Sequence, residues 1–417
     1  MTKEKSANRS SACVPKITRA EDTYRKVVAL TRVECGNNRK RLITGVVMRV
    51  FGLCWLGIAL ALCTLACQQS TQLVSLLATA TPTVTATFTP SSTASSTPSP
   101  TATVTPSLTP TATLTPTPAP TATPDVYANY TIAHLQGRTY GAGELQIEET
   151  WGNNGVFTRY LVSYPSDGLN LYAFMNVPAG EGPFPVVLVL HGYVNPDAYQ
   201  VLTYTTRYAD ALARAGFLVI HPNYRNHPPS TTGADNYFRT GYAVDVLNLI
   251  ALVKKQGGQA GALQLADPNR IGQWGHSMGG GIAQKVAVVS PDVRATVLYG
   301  AMSSDDYLNF QRIYYVFGGN ARVEGLFELA ATPADYERIS PLYYLQNIQG
   351  AVSIHHGLLD EEVPPEWSAQ TCQQLQALGK SAECFQYPMA HHIFYDADDA
   401  LFLQRVIAFF QSAFLTD

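Results

Sequence analysis

Positive charge is scarce beyond the first residues of the chain. Residues 1–49 carry 12 Lys and Arg against 4 Asp and Glu. With an overall charge of −3, that local +8 leaves −11 on residues 50–417. So acidic a body lacks the basic face that phosphate binding needs, which excludes nucleic acid as a partner. Metal-ligand spacing is also missing. No His or Cys pattern matches a zinc motif, so a site built from the pairs His355-His356 and His391-His392 is not expected, and neither is a cofactor. No internal repeat and no second break in composition follow residue 124, so residues 125–417 read as one globular body. Between Thr79 and Pro124 charge is absent and large apolar residues are almost absent, while Thr, Pro, Ser and Ala dominate. Such a segment cannot bury enough surface to offset its ordering entropy. Its proline density favours extended polyproline II, at ~3.1 Å per residue, so residues 68–124 read as a semi-rigid stalk.

Ahead of the stalk lies an uncharged apolar run, VFGLCWLGIALALCTLAC, from Val50 to Cys67. It is about long enough to span a bilayer. It also has the parts of a signal peptide: a short basic start at Met48-Arg49, an apolar middle and small residues before Cys67. The TLAC ending resembles a bacterial lipoprotein signal, with Thr64 where Leu is usual, and the resemblance implies that Cys67 is lipidated. An uncleaved anchor and an ordinary cleaved signal are the alternatives, and all three export the body. A signal starting at Met48 implies a start codon assigned too early, with residues 1–47 as its product. The other reading of 1–47 is a basic cytoplasmic tail. Membrane contact is expected on this side, through a lipid or an anchor.

The body opens with strand-like runs, GELQIEETW, FTRYLVSYP and LNLYAFMNVP, the last two joined by a turn at SDG. Strands and helices then alternate. PVVLVLHG, RIGQWGHS, ATVLYG, AVSIHHG and ECFQYP read as short strands. Helical periodicity covers TTRYADALARAG, TGYAVDVLNLIALVKKQG, PEWSAQTCQQLQALGK and DALFLQRVIAFFQSAF. This order predicts an α/β fold with a mostly parallel central sheet, helices on both faces and an antiparallel edge.

The strongest chemical signal is IGQWGHSMGGG, which holds G-x-S-x-G as Gly275-His276-Ser277-Met278-Gly279 between a strand and a helix. A sharp turn there pushes the serine hydroxyl above the sheet and leaves the Met278 N–H at a helix start, where it can stabilise an oxyanion. His191-Gly192-Tyr193, after an earlier apolar strand, offers a second donor in the Tyr193 N–H. A serine hydroxyl needs a base, and the base needs a carboxylate to orient it. After Ser277 the carboxylate candidates are Asp360, its neighbours Glu361 and Glu362, and Asp305 or Asp306. Asp360 fits best, three residues past a strand end. Only His391 and His392 lie beyond it, so the base is one of these two. Successive strand residues face opposite ways, so His355 and His356 are expected to pack and to support a loop.

These residues resemble the catalytic domain of the prolyl oligopeptidase type of α/β-hydrolase over residues 155–417. The resemblance is carried by SDGLNLYAFMNVP, HGYVN, HPNYRNHPPS, DPNRIGQWGHSMGG and the HG-x-x-D-x-x-VP pattern of HHGLLDEEVPP. It implies a serine hydrolase with Ser277, Asp360 and His392 as its catalytic residues, because the family's Y-P-G-A-G-H-G-F ending places its histidine on His392 of YPMAHHIF. His391 and Asn226 stand where the family has glycine, and Tyr193 replaces the second glycine of the oxyanion loop. About 30 residues separate stalk and strands, too few for the family's β-propeller. The expected substrate is therefore a small ester or a short peptide. Met302 to Ser340 reads as a short helical cap, with Tyr307, Phe310 and Tyr314 as candidate pocket residues. Cys372 and Cys384, the two cysteines of the body, are candidates to pair in an oxidising setting.

Overall fold

The computed structural model describes residues 124–415, apart from 234–235 and 319–324. The basic tail at 1–47, the apolar segment at 48–67 with Cys67, and the stalk up to residue 123 lie outside the described residues. Nine strands form one sheet: β1 Gln146–Asn153, β2 Phe157–Ser166, β3 Leu169–Pro178, β4 Phe184–Leu190, β5 Leu218–Pro222, β6 Ala266–His276, β7 Val293–Tyr299, β8 Ala351–Gly357 and β9 Ala382–Tyr387. Its order is β1-β2-β3-β5-β4-β6-β7-β8-β9. Strands β1, β2 and β3 form an antiparallel meander that joins β5 antiparallel, and every pairing from β5 to β9 is parallel.

Local chemistry explains the edge. Asp167 (φ 50°) and Gly168 (φ 82°) are the two residues between Ser166 and Leu169, which pair directly. Positive φ at both matches the two-residue turn whose twist suits a hairpin, and Asp-Gly is among its favoured sequences. Strand β1, at the outer edge, exposes nearly all of its residues, among them two glutamates. In the centre the pattern reverses. All of β5 and the last six residues of β6 are buried, as expected of strands covered on both faces.

Nine helices are described: α1 Ile132–Gly137, α2 Thr206–Arg214, α3 Thr240–Gln256, α4 Met278–Val289, α5 Asp306–Tyr315, α6 Leu326–Leu329, α7 Pro333–Ile339, α8 Pro365–Ala377 and α9 Asp396–Leu415. Alternation along each strand divides the core in two. Val186, Leu188 and Leu190 of β4 pack with α3 and α4, whereas Val187 and Val189 pack on the opposite face with α2 and α9. Helices α5, α6 and α7 form the short helical cap between β7 and β8. Strand β4 is central, and the chain leaves it first for β5 on one side and later for β6 on the other. The crevice beyond the C-terminal ends of β4 and β6 is therefore a topological switch point, where open α/β sheets place their ligands.

Two covalent and ionic ties support this frame. Cys372 of α8 and Cys384 of β9 form a disulfide, with Cα atoms 6.4 Å apart. Asp245 of α3 is fully buried. It accepts hydrogen bonds from the Arg225 backbone N–H (2.9 Å), from Arg225 Nη2 (2.8 Å) and from Ser166 Oγ (2.8 Å). The pair thus ties the β2 hairpin to the segment after β5. Asn226, which stands where the resemblance expects glycine, adopts φ 68°. Asparagine is among the few side chains that tolerate that region.

Burial also sets a pH response. It holds the pKa of His191, His276 and His355 down at about 3. Each stays neutral in the folded protein while the unfolded chain takes up protons below its ordinary value of ~6.5. Their contribution to stability is complete above that pH and is lost as the pH falls toward 3, at about 1.4 kcal/mol per pH unit for each residue. The urea midpoint is expected to be clearly lower at pH 4.5 than at pH 7.5. A midpoint that does not change over this interval would contradict the neutral buried histidines.

Candidate active site

Ser277 stands between β6 and α4 with φ 54° and ψ −119°, a conformation that non-glycine residues rarely adopt. Its backbone is pinned: its N–H donates to Tyr299 O (3.0 Å), and its carbonyl accepts from Gly280, Gly281 and Met302. The turn closes only because Gly279 has no side chain. A Cβ there would lie 2.1 Å from Leu190 O, inside van der Waals contact with β4. Met278 is the first residue of α4, so its N–H has no acceptor within the helix.

The loop after β4 passes over the serine. A Cβ on Gly192 would lie 3.1 Å from Ser277 Cβ and 2.6 Å from Tyr204 Oη, so only glycine fits. His191, fully buried behind this loop, donates from Nδ1 to Gly192 O (2.7 Å). Tyr193 follows with its side chain 49% exposed, and it lines the same cleft as Ser277 and Met278.

Asp360 lies in the loop after β8 and His392 in the loop after β9. His392 Nδ1 donates to Asp360 Oδ2 at 2.7 Å, and both residues are buried. Asp360 accepts three more hydrogen bonds: from His356 Nε2 (3.0 Å) on the same oxygen, and from the Glu362 (2.9 Å) and Val363 (2.8 Å) backbone N–H groups on the other. Burial alone would raise its pKa. The bonds from His356 and His392 outweigh that effect and hold the carboxyl well below the usual carboxylate range. Asp360 is thus ionised where it meets the imidazole. Against the other nitrogen, Glu362 Oε2 lies 3.8 Å from His392 Nε2.

The remaining carboxylate candidates are placed elsewhere. Asp305 caps α5 by accepting from Tyr307 N–H (2.9 Å). Asp306 pairs with buried Lys285 at 2.8 Å. Glu361 meets the exposed His391 at 3.0 Å. The two adjacent histidines therefore have different partners, and only His392 reaches Asp360. His355 packs flat on Phe385, with ring centroids 5.0 Å apart.

Several residues of the site gave no signal in the sequence. His276 is the free position of G-x-S-x-G, yet it links the site. The His392 backbone oxygen can only accept, so His276 Nε2 is the protonated nitrogen and donates to it (3.0 Å). The unprotonated Nδ1 then accepts from Tyr204 Oη (2.6 Å), and that oxygen accepts from Gly192 N–H (3.0 Å). This chain of three bonds joins the histidine loop, the strand before the serine and the loop after β4. His356, expected to support a loop, braces Asp360 and accepts from Ser368 Oγ at 2.6 Å.

These groups open into a cleft of about 510 Å³ whose walls are mainly apolar, with Met302, Ile313, Phe317, Val363 and Ile393 among them. The expected pocket residues Tyr307, Phe310 and Tyr314 do not line it. Tyr307 packs on Tyr336, Phe310 is buried on Phe238, and Tyr314 packs on Tyr315. The face of α5 toward the cleft is the one carrying Ile313, with Phe317 one turn later, so the choice of aromatics selected the wrong face. Among the described residues no cluster of His, Cys, Asp or Glu has the arrangement of a metal site. Tyr204→Phe removes one hydroxyl and leaves Gly192 N–H and His276 Nδ1 unpaired. A loss of about 1–3 kcal/mol in urea unfolding is expected. An unchanged midpoint would mean that the chain of bonds carries no load.

Comparison with known proteins agrees with this architecture. Residues 203–416, just over half of the chain, match the prolyl oligopeptidase family. The chain is 24% identical over 270 residues to a Bacillus subtilis (strain 168) protein described as the uncharacterized peptidase YuxL, covering 60% of this chain and 38% of that one. Among solved structures it is similar to an acylaminoacyl peptidase of Pyrococcus horikoshii (TM-score 0.50, 17% identity, 66% of this chain and 51% of that chain). It is also similar to an acetyl xylan esterase from Paenibacillus sp. R4 (TM-score 0.52, 15% identity, 67% of this chain and 92% of that chain). The chain thus spans well under two thirds of either peptidase. The shared α/β-hydrolase sheet and the family match over its second half lead to one conclusion: the chain belongs to the prolyl oligopeptidase family.

Proposed function

We propose that Ser277, His392 and Asp360 form the catalytic triad of an exported hydrolase that cleaves small esters or short peptides through an acyl-enzyme. The observation that carries this reading is the His392–Asp360 hydrogen bond in the cleft that also receives the strained Ser277. Ser277 Oγ attacks the substrate carbonyl carbon as its proton passes to His392 Nε2. Asp360, already ionised, orients the imidazole and stabilises the imidazolium. The Met278 and Tyr193 N–H groups receive the oxyanion. The tetrahedral intermediate collapses, the bond to the leaving group breaks, and His392 returns the proton to that group. Water, deprotonated by the same imidazole, then attacks the acyl carbon and frees Ser277.

A carboxylesterase is the second reading. It is favoured by the open cleft, over which the described residues put only the short cap between β7 and β8. A cleft of about 510 Å³ suits a short acyl group or one to two amino-acid residues. Export rests on the apolar segment ending at Cys67 and on the stalk. The Cys372–Cys384 disulfide supports it, because such bonds persist in oxidising compartments. In this reading Cys67 carries the lipid and the stalk holds the hydrolase away from the membrane.

A fluorophosphonate probe is expected to label the wild-type protein, and Ser277→Ala is expected to abolish labelling. Wild type that fails to label would refute the nucleophile. His392→Ala is expected to lose turnover by three orders of magnitude or more, on the order of what removing a triad member costs. His391→Gly is expected to keep most of it, and the reverse outcome would move the base by one residue. A panel of aminoacyl anilides and short acyl esters separates peptidase from esterase by their relative kcat/KM.

A further inference from the structure

We propose that Glu362 binds a positive charge carried by the leaving group of the substrate. The inference rests on the reading of Ser277 as the nucleophile and His392 as its base. It begins with the loop that carries Asp360. The Glu362 N–H donates to Asp360 Oδ1 (2.9 Å), and its carbonyl accepts from Arg312 Nε of the cap helix α5. The backbone of Glu362 is thus fixed twice, by the carboxylate that orients the base and by the cap. The residue lines the cleft with Ser277 and His392, its side chain 59% exposed.

In this position the carboxylate has no hydrogen-bond donor among the described residues. Glu362 Oε2 lies 3.8 Å from His392 Nε2, beyond hydrogen-bond distance. The ring could not donate there in any case. With Nδ1–H given to Asp360, a neutral imidazole presents only a lone pair at Nε2. The charge of Glu362 is nevertheless felt inside the site. Burial raises the pKa of Tyr204, the Gly192 N–H opposes that rise, and the Glu362 charge adds to it. The carboxylate therefore faces the reacting groups as well as solvent.

Glu362 is the one carboxylate lining the cleft among the described residues, and the two arginines there do not pair with it. Arg312 gives Nη2 to Glu361 O (2.7 Å) and Nε to Glu362 O, and its guanidinium lies over the Phe317 ring, 5.5 Å from the centroid. Arg239 has a partner of its own. Outside the cleft, Glu361 is paired with His391. A negative charge thus stands open beside the base. Its position selects one side of the substrate. His392 Nε2 is the atom that hands the proton to the departing alcohol or amine, so groups a few bonds beyond the departing atom pass closest to Glu362. The substrate class is an ester of an amino alcohol, or a peptide with a basic residue just after the scissile bond.

Matched thioesters test this. Acetylthiocholine is compared with its neutral isostere S-(3,3-dimethylbutyl) thioacetate by thiol release, each corrected for uncatalysed hydrolysis. Wild-type kcat/KM is expected to favour the cation by about 3- to 10-fold at low salt, and the preference to shrink in about 0.5 M NaCl. Glu362→Gln is expected to collapse the ratio mainly through KM, and Glu362→Asp to retain part of it; both keep the backbone N–H that holds Asp360. The wild-type ratio needs no variant, so misfolding of either cannot hide the answer. With the charge moved to the acyl side, p-nitrophenyl 4-(trimethylammonio)butanoate against p-nitrophenyl 5,5-dimethylhexanoate, no preference for the cation is expected. An equal or larger preference there would overturn the assignment to the leaving group. A thioester preference that survives Glu362→Gln would overturn Glu362 as its source. No preference in either pair would overturn the cation site, while turnover of the neutral substrates leaves the nucleophile standing. No turnover of any substrate would overturn both.

Discussion

The hydrogen bond between Asp360 and His392 is the constraint around which the rest of the structure is arranged. It joins loops from two adjacent strands, β8 and β9, and each side is braced independently. Asp360 is held by two backbone N–H groups and by His356, and these bonds keep it ionised despite burial. His392 is held through its own backbone oxygen by His276, the residue directly before Ser277. The positions of His392, Asp360 and Ser277 are thus tied to one another through one set of bonds. The His276 ring, through Tyr204, extends the same set of bonds to Gly192 in the loop after β4.

This linkage explains how buried polar groups are tolerated here. His276 is almost fully buried, and burial keeps it neutral. A neutral imidazole has one donor and one acceptor, and its neighbours offer one acceptor and one donor. A charged or wrongly protonated ring would leave an unpaired group in the core, which costs more than the bonds return. The same logic runs through Arg225 and Asp245, where the carboxylate is matched by donors from a guanidinium, a backbone N–H and a hydroxyl.

The elements that alternate in sequence were legible because their periodicity is set by burial, and burial is set by the sheet. Ser277, Asp360 and His392 stood out as candidates because each follows a strand whose end can be recognised, and because chain order limits the choice. The choice between His391 and His392 rested on resemblance, and the reason for it is spatial: His391 points to Glu361 and solvent. His276 and Tyr204 could not be read in the same way. Their roles depend on which distant atoms the fold brings within 3 Å, and no local pattern encodes that. The cap failed for a related reason. Tyr307, Phe310 and Tyr314 looked suited to a pocket by chemistry, but the rotation of α5 is fixed by its packing on Phe238 and Tyr336. That rotation turned Ile313 toward the cleft instead.

The central claim is that Ser277 carries the acyl group between two half-reactions governed by one histidine. Acid-quenching the enzyme during turnover of p-nitrophenyl acetate, followed by peptide mass spectrometry, tests this most directly. The account predicts an acetyl group on the Ser277 peptide in the wild-type protein, formed at a rate matching the initial release of p-nitrophenolate and strongly slowed in His392→Ala. Turnover with an acetyl group on another residue, or acetylation of Ser277 at an equal rate without His392, would contradict it.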